Sequence, residues 1–406
     1  MITPEEALEK ILEHLGPLPS ERVSCAETLG MVLAGEVRAR RASPGADNSA
    51  MDGYAVVASD TAGASEESPR TLPLVGASVA GEPFDGELQA GQVARITTGA
   101  IVPPGATAVV PQELVEARDG EVVLTAPVKE GANIRRRGEE YGEGEVILPA
   151  GTPVRPAGVA LMVGAGVSEV EVVRVPTVEV VVTGDELVTP EEAADNPTSP
   201  VDSNGPLLRA CLDEARVPRV QVGRCGDDPE ALAEKLRRGL ERADVVITTG
   251  GASVGPLDVV ARAWELAGVE TVFWKVAIKP GKPLRFGVAR RGDRVIPVFG
   301  LPGNPLAVLT GFQRFVRPAI ELLRGGAPRR ETARLPLATP RRVKWRAEVV
   351  YGAIEGGRFV PASHQGSGMM RGAAVSPASA LLPGESREIG AGELVEVTGS
   401  PEGSGS

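Results

Sequence analysis

The sequence predicts a multidomain protein of the α/β-plus-β class, and three observations carry that prediction. At 406 residues the chain exceeds what one hydrophobic core usually serves. Between about 177 and 326, β-branched runs alternate with amphipathic helical stretches, the pattern of a parallel sheet covered on both faces. On either side of that segment, Gly and Pro punctuate short apolar pairs, which read as small β-rich domains.

In chain order, residues 1–43 read as helices. Thr3-Pro4-Glu5-Glu6 is a capping box with Pro at the first helical position, and Gly16-Pro17 ends the apolar run from Ala7 to Leu15. Residues 44–138 form a β-rich inserted domain. Residues 139–176 return as a short helix and strand, and together with 1–43 make a discontinuous, helical and mixed N-terminal domain. Residues 177–326 are the central three-layer α/β domain with a parallel sheet. Val178 to Val182 and Asp244 to Thr248 are its buried strands, and Leu207 to Ala215, Pro229 to Ala243, Leu257 to Ala267 and Pro305 to Leu323 its helices. Residues 327–406 open with a basic linker and read as a small C-terminal β-barrel.

Composition excludes several function classes. The net charge of −11 and a 3% aromatic content argue against a nucleic-acid or anionic-membrane surface. Three cysteines without CxxC spacing exclude a disulfide framework and fit a reducing cytoplasm. Two histidines, His14 and His364, exclude a multi-His metal centre and leave a Ser-His-Asp mechanism little to draw on. No apolar stretch reaches the ~18 residues of a membrane span.

Several motifs are candidates for chemistry. Thr249-Gly250-Gly251-Ala252-Ser253 follows a strand and precedes a helix, where glycines let backbone N–H groups approach an anion; a plain tight turn is the competing reading. It has neither the Lys of a P-loop nor dinucleotide spacing. Lys275-Val276-Ala277-Ile278-Lys279-Pro280-Gly281-Lys282 concentrates cations in an acidic chain. Along one strand Lys275 and Lys279 would share a face and meet an oxyanion; a solvated basic edge is the alternative. Asp52 lies in Met51-Asp52-Gly53-Tyr54, otherwise a standard turn dipeptide. Glu186 lies just past a buried strand, where ligand groups collect, with capping by Asp185 as the rival account. Asp227 and Asp258 stand at helix starts, which dipole pairing also explains. Arg135-Arg136-Arg137-Gly138-Glu139-Glu140 reads as an anion site or a self-neutralising loop. Pro302-Gly303-Asn304-Pro305 reads as a helix cap and a rigid wall, and His364-Gln365-Gly366-Ser367-Gly368 as a polar turn.

Taken together and in this order, these motifs resemble the molybdopterin molybdenumtransferase family, the bacterial MoeA type and the gephyrin E domain. The resemblance runs from the N-terminal helix to the Gln365–Gly368 turn. It implies four domains in an elongated homodimer, an α/β domain related to the molybdopterin-binding fold, and an active site in an interdomain cleft completed by the second subunit. It implies adenylylated molybdopterin and molybdate as substrates, cleavage of the pyrophosphate with release of AMP, and Mg²⁺ as cofactor. Transient contact with the molybdopterin adenylyltransferase and with molybdoenzymes follows from that place in cofactor synthesis.

The resemblance also assigns roles. Asp52, Thr98, Glu186, Lys275 and Lys279 become the catalytic set. Arg137, Asp227, Thr249, Gly250, Gly251, Ser253, Pro280, Lys282, Pro302, Asn304 and Ser367 become substrate contacts, and Glu140, Glu186 and Asp258 the metal ligands. Glu140 stands where the family commonly has Asp. Cleaving a phosphoanhydride needs charge neutralisation and positioning more than a special nucleophile, which suits a chain rich in carboxylates and poor in His. Two other readings are a non-catalytic molybdopterin-binding or scaffolding protein on the same fold, and an unrelated nucleotide-binding enzyme using the glycine loop alone.

Overall fold

A computed structural model describes residues 1–251, 259–328, 332–363 and 368–399. The chain divides into two compact units. One comprises residues 1–21, 30–34 and 172–406, the other residues 22–29 and 35–171.

The larger unit is built on a six-stranded sheet. Its strand order is Val220–Cys225, Val178–Thr183, Val245–Thr249, Arg294–Leu301, Arg285–Arg291 and Val269–Trp274. The first four strands pair in parallel. Arg285–Arg291 pairs antiparallel with both of its neighbours, so the sheet is mixed rather than the all-parallel sheet expected from the sequence. The reason is local: Gly292, in the left-handed region at φ 59°, turns the chain straight back as a hairpin, with no helix between the two strands to carry a parallel crossover.

Alternate side chains of the strands feed two separate cores, which is why their sequences are apolar throughout. Val178, Val180 and Val182 pack with Leu208, Leu212, Phe312 and Phe315 on one face. Val181 and Val246 pack with Leu232, Leu236, Leu240 and Trp264 on the other. Each such fully buried aliphatic side chain is worth roughly 1.5 kcal/mol or more of transfer free energy.

The N-terminal helix, Pro4–Glu13, carries the expected capping box between Thr3 and Glu6. Its apolar stripe, Ala7 and Ile11, is buried against the helices of this same core. Residues 14–43 hold only one further helical turn, the 3-10 turn Cys25–Glu27, contrary to expectation. Gly16-Pro17 and Pro19 stop the helix, and Ser20–Ser24 then forms a strand that pairs with Glu169–Val173. Residues 1–21 therefore cluster with the α/β core and not with residues 139–171.

The C-terminal sheet has the order Ile278–Lys279, Ala347–Glu355, Ala378–Leu382, Leu394–Gly399, Thr332–Pro336, with Arg358–Pro361 paired to Ala347–Glu355. A bridge between Leu337 and Phe359 closes the last strand back onto Arg358–Pro361, around a core that includes Val350, Phe359, Leu382 and Val397. The smaller unit holds a second six-stranded sheet, in the order Ala108–Pro111, Gly53–Val56, Val93–Ile96, Arg70–Ser78, Glu121–Leu124, Val115–Arg118. Tyr54, Val56, Val93, Val110 and Leu124 are in its core.

One buried ion pair ties two central strands together at their starts. Asp244, 6% exposed, accepts both arms of the Arg174 guanidinium at 2.7 and 2.8 Å and the Thr177 amide at 2.8 Å. Burial pushes the Asp244 carboxyl up, but the Arg174 fork, the Thr177 amide and the Arg294 charge together hold it below the ordinary carboxylate range. Its contribution is therefore complete at neutral pH and is lost as pH falls through its depressed native value. Asp244→Asn is expected to destabilise this unit by about 3 kcal/mol, because Arg174 is left without its counter-charge. Urea unfolding at pH 7 checks the loss, and the gap between variant and parent closes as the pH is lowered below ~3.9.

Candidate active site

Parallel strands deliver their carboxyl ends to one edge of a sheet, the usual place for a ligand crevice in this architecture. Four loops leave the sheet there, and the chain packs them closely. Gly250, at φ 93°, lies so near the Thr183 carbonyl that a Cβ would come within 2.2 Å of it. A Cβ on Gly226 would meet an Asp185 oxygen at 2.3 Å, and one on Gly303 would lie 3.6 Å from the Gly250 Cα. Thr249 donates its hydroxyl to the Pro302 carbonyl at 3.0 Å, and Thr183 donates to the Thr249 carbonyl at 3.3 Å. Asn304 caps the following helix by accepting the Leu306 amide at 3.0 Å.

This edge presents carboxylates. The Glu186 side chain folds back over Gly184, with both oxygens near 3 Å of where a Gly184 Cβ would stand. Asp227 accepts the Asp185 amide at 3.3 Å, and Asp185, Glu186 and Asp227 are all exposed. The helix Pro229–Arg242 is capped by Asp228, which accepts the Glu230 and Ala231 amides at 3.3 Å. Capping therefore accounts for Asp228 and leaves Asp227 unexplained by helix structure.

Lys275 and Lys279 are not on one strand, contrary to expectation. The Val269–Trp274 strand ends at Trp274, and Lys275 adopts a left-handed φ of 72° that breaks the alternation on which a shared face depended. The Lys275 ammonium lies 3.7 Å from the Trp274 ring centroid, a cation–π contact. Lys279 belongs to the two-residue strand Ile278–Lys279 at the edge of the C-terminal sheet, and its ammonium donates to Glu348 at 3.2 Å. Pro280 is buried beside it, and the Lys282 carbonyl accepts the Val276 amide at 3.0 Å.

In the smaller unit the fold brings Asp52 and Thr98 together across 46 residues. The exposed Asp52 carboxylate accepts the Thr98 amide at 2.6 Å and the Thr98 hydroxyl at 2.9 Å. These two hydrogen bonds, the amide's first, hold its carboxyl below the ordinary range. Gly53 must be glycine there, since a Cβ would fall 2.0 Å from the Val110 carbonyl. Arg137 donates only its backbone amide to Asp47, at 2.8 Å, and exposes its side chain; Glu140 accepts the Ser43 hydroxyl at 2.8 Å. Asp52, Thr98, Arg137 and Glu140 thus belong to one unit, and Glu186, Asp227, Thr249, Gly250, Gly251, Lys275, Lys279, Pro280, Lys282, Pro302 and Asn304 to the other. Ser253, Asp258 and Ser367 lie outside the described residues. Among the described residues no three His, Cys, Asp or Glu side chains converge on a metal-sized space.

Sequence reasoning missed Asn204. This residue, 7% exposed, donates to the Thr249 hydroxyl at 3.1 Å and the Gly303 carbonyl at 2.8 Å, so it clamps two of the loops, and its own carbonyl oxygen is buried without a hydrogen-bond partner. Its only signal was Asp202-Ser203-Asn204-Gly205 before a helix, which reads as an ordinary cap. Arg341 and Glu348 were missed as well, because nothing near them in sequence carries a motif.

The fold and site define a class: a multidomain α/β protein whose parallel strands end in exposed carboxylates and closely packed glycine-containing loops. Family models agree in detail. Residues 2–166 match the MoeA N-terminal region (domain I and II), and residues 179–322 match a probable molybdopterin binding domain. A molybdopterin molybdenumtransferase of Haemophilus influenzae is 35% identical over 327 residues, 80% of this chain and 78% of its own. One of Staphylococcus aureus is 30% identical over 400 residues, 97% of this chain and 94% of its own. A crystal structure of the molybdopterin biosynthesis moeA protein from Pyrococcus horikoshii OT3 superposes with a TM-score of 0.83 at 28% identity, covering 98% of this chain and all of that one. The chain belongs to the molybdopterin molybdenumtransferase family.

The close packing at Gly250 makes a direct prediction. Gly250→Ala combines a strained φ with a clash against the Thr183 carbonyl, and is expected to cost at least about 2 kcal/mol. Gly303→Ala, exposed and without positive φ, is expected to stay within about 1 kcal/mol. Paired urea titrations of the two variants check the contrast.

Proposed function

We propose that this protein transfers molybdenum from molybdate to adenylylated molybdopterin, cleaving the pyrophosphate of that substrate and releasing AMP, to complete the molybdenum cofactor. The observation that carries this reading is the Asp52–Thr98 pair. An exposed carboxylate held ionised by two short hydrogen bonds is built to orient an incoming oxygen nucleophile or its proton, and helix capping does not explain it. The family match over nearly the whole chain supports the same substrates.

The chemistry follows from charge. Hydrolysing a phosphoanhydride forms one P–O bond and breaks another while negative charge shifts to the departing phosphate oxygen. Lys275 and Lys279 offer ammonium groups to phosphate or molybdate oxygens. The Gly250-Gly251 turn offers close backbone approach, and Asn204 with Thr249 keeps that turn and the Pro302-Gly303 loop in fixed register.

Mg²⁺ suits the donor set. It is a hard cation that takes one or two carboxylates and completes its shell with water and substrate phosphates, and Glu186 and Asp227 supply exposed carboxylate oxygens at the strand ends. Glu140 and Asp258 stay as candidate ligands by family resemblance. When bound, the ion polarises phosphoryl oxygens. The same reading carries a homodimer, a cytoplasmic setting, and transient handover from the adenylyltransferase and to molybdoenzymes. No helix among the described residues is long and apolar enough to cross a membrane.

Two outcomes test this. Purified protein given adenylylated molybdopterin, molybdate and Mg²⁺ releases AMP only when molybdate is present; pterin binding without AMP release would instead mark a scaffolding protein. Asp52→Ala loses at least about a hundredfold in turnover, while its thermal midpoint stays within a few degrees of the parent because the carboxylate is exposed. Normal turnover in that variant would remove Asp52 from the mechanism.

A further inference from the structure

The Lys279 ammonium is held from a part of the chain with no motif of its own. Ile278–Lys279 pairs in parallel with Ala347–Glu348, in the register Lys279 opposite Glu348. The Ala347 amide donates to the Ala277 carbonyl at 2.9 Å, which fixes that register. One oxygen of Glu348 accepts both the Lys279 ammonium at 3.2 Å and the Arg341 guanidinium at 2.9 Å. The carboxylate side chain is 10% exposed, Arg341 26% and Lys279 40%, so the acid is the buried member and the ammonium the one facing solvent.

Two cations around one carboxylate leave a net charge of +1. An ammonium has three donors and Glu348 engages one of them. The arrangement therefore anchors Lys279 from behind and keeps the local charge favourable to an anion. Burial pushes the Glu348 carboxyl up, yet the Arg341 hydrogen bond and charge, followed by those of Lys279, outweigh it and keep the group ionised. A buried carboxylate with two cationic partners is costly to build unless its geometry is used.

We propose that Glu348, carried by the C-terminal sheet, is a positioning residue for Lys279 in the transferase reaction, aiming the ammonium at the oxyanion of molybdate or of the substrate phosphate. The inference rests on the functional reading of Lys279 above. It makes the C-terminal domain part of the reaction's geometry through Glu348, which acts on Lys279 and not on the substrate.

The test uses the full chain with Glu348→Gln, which keeps size and one acceptor but removes the charge, and Glu348→Asp, which keeps the charge. Two readouts are taken. The first is acetylation of lysines at limiting reagent, mapped by peptide mass spectrometry with Lys275 and Lys282 as internal references. It needs no turnover. Glu348→Gln is expected to raise labelling of Lys279 relative to the references by about tenfold, and Glu348→Asp much less. The second is the KM for molybdate in AMP release. Glu348→Gln is expected to raise it about tenfold with kcat changed far less, and Glu348→Asp to recover most of the loss. The double variant Glu348→Gln, Lys279→Met is expected to be no worse than Lys279→Met alone, since a residue acting through Lys279 has nothing left to position.

Unchanged Lys279 labelling in a Glu348→Gln protein with a native circular dichroism spectrum would overturn the proposal, and so would effects of the two substitutions that multiply. Raised labelling in a protein whose parent releases no AMP would overturn the transferase reading while upholding the hold of Glu348 on Lys279. If Glu348→Gln fails to fold, the Asp variant carries the same comparison: parent-like labelling and KM support the proposal, and a tenfold KM rise with unchanged labelling overturns it.

Discussion

A peptide carbonyl and a glycine without a side chain meet at the Thr183–Gly250 contact, and the strand-end crevice is arranged around that meeting. Because no Cβ intervenes, the loops after the Val178–Thr183 and Val245–Thr249 strands can lie against each other. The Thr249 hydroxyl then reaches the Pro302 carbonyl, and Asn204 reaches both Thr249 and Gly303. Two buried Val-rich strands and a set of short polar side chains thus make one rigid edge, on which the carboxylates of Asp185, Glu186 and Asp227 stand in solvent. Rigidity below and exposed charge above is the combination that positioning chemistry asks for.

Charge is distributed on the same plan. The chain is acidic overall, yet two of its candidate site lysines are individually managed. Lys275 rests over the face of Trp274, and Lys279 is tied to Glu348. Asp52 is held below the ordinary carboxylate range chiefly by Thr98, with the Arg95 charge a smaller contribution. These three charged groups are therefore restrained by neighbours that leave them chemically usable: an aromatic face, a carboxylate shared with an arginine, and a pair of neutral donors.

Much of this was legible in the sequence. The alternation of β-branched runs and amphipathic helices announced the three-layer domain, because a strand buried on both faces has no polar alternative. The capping box at Thr3 and the Asn304-Pro305 helix start followed from side-chain chemistry that acts within a few residues. What failed was whatever depended on one residue's backbone conformation or on partners distant in sequence. The hairpin that reverses Arg285–Arg291 turns on one left-handed Gly292, and the separation of Lys275 from Lys279 turns on one left-handed lysine; periodicity registers neither. Asn204, Arg341 and Glu348 acquire their roles only from partners 7 to 99 residues away. Asp52 and Thr98 were each singled out by family resemblance and not by local chemistry, and their pairing across 46 residues was legible in neither.

The two-residue strand Ile278–Lys279 also bears on how such a chain can evolve. It leaves the α/β core's own sequence to occupy the edge of the C-terminal sheet, beside Ala347–Glu348. The smaller sheet is thereby sealed along that edge by a borrowed segment, which covers backbone groups that would otherwise invite pairing with another chain. The C-terminal domain is accordingly not a detachable module. Cutting it away would strip the core of a neighbour, and transplanting it would leave behind the strand that finishes it, so the two must be inherited, and must drift, as a single piece.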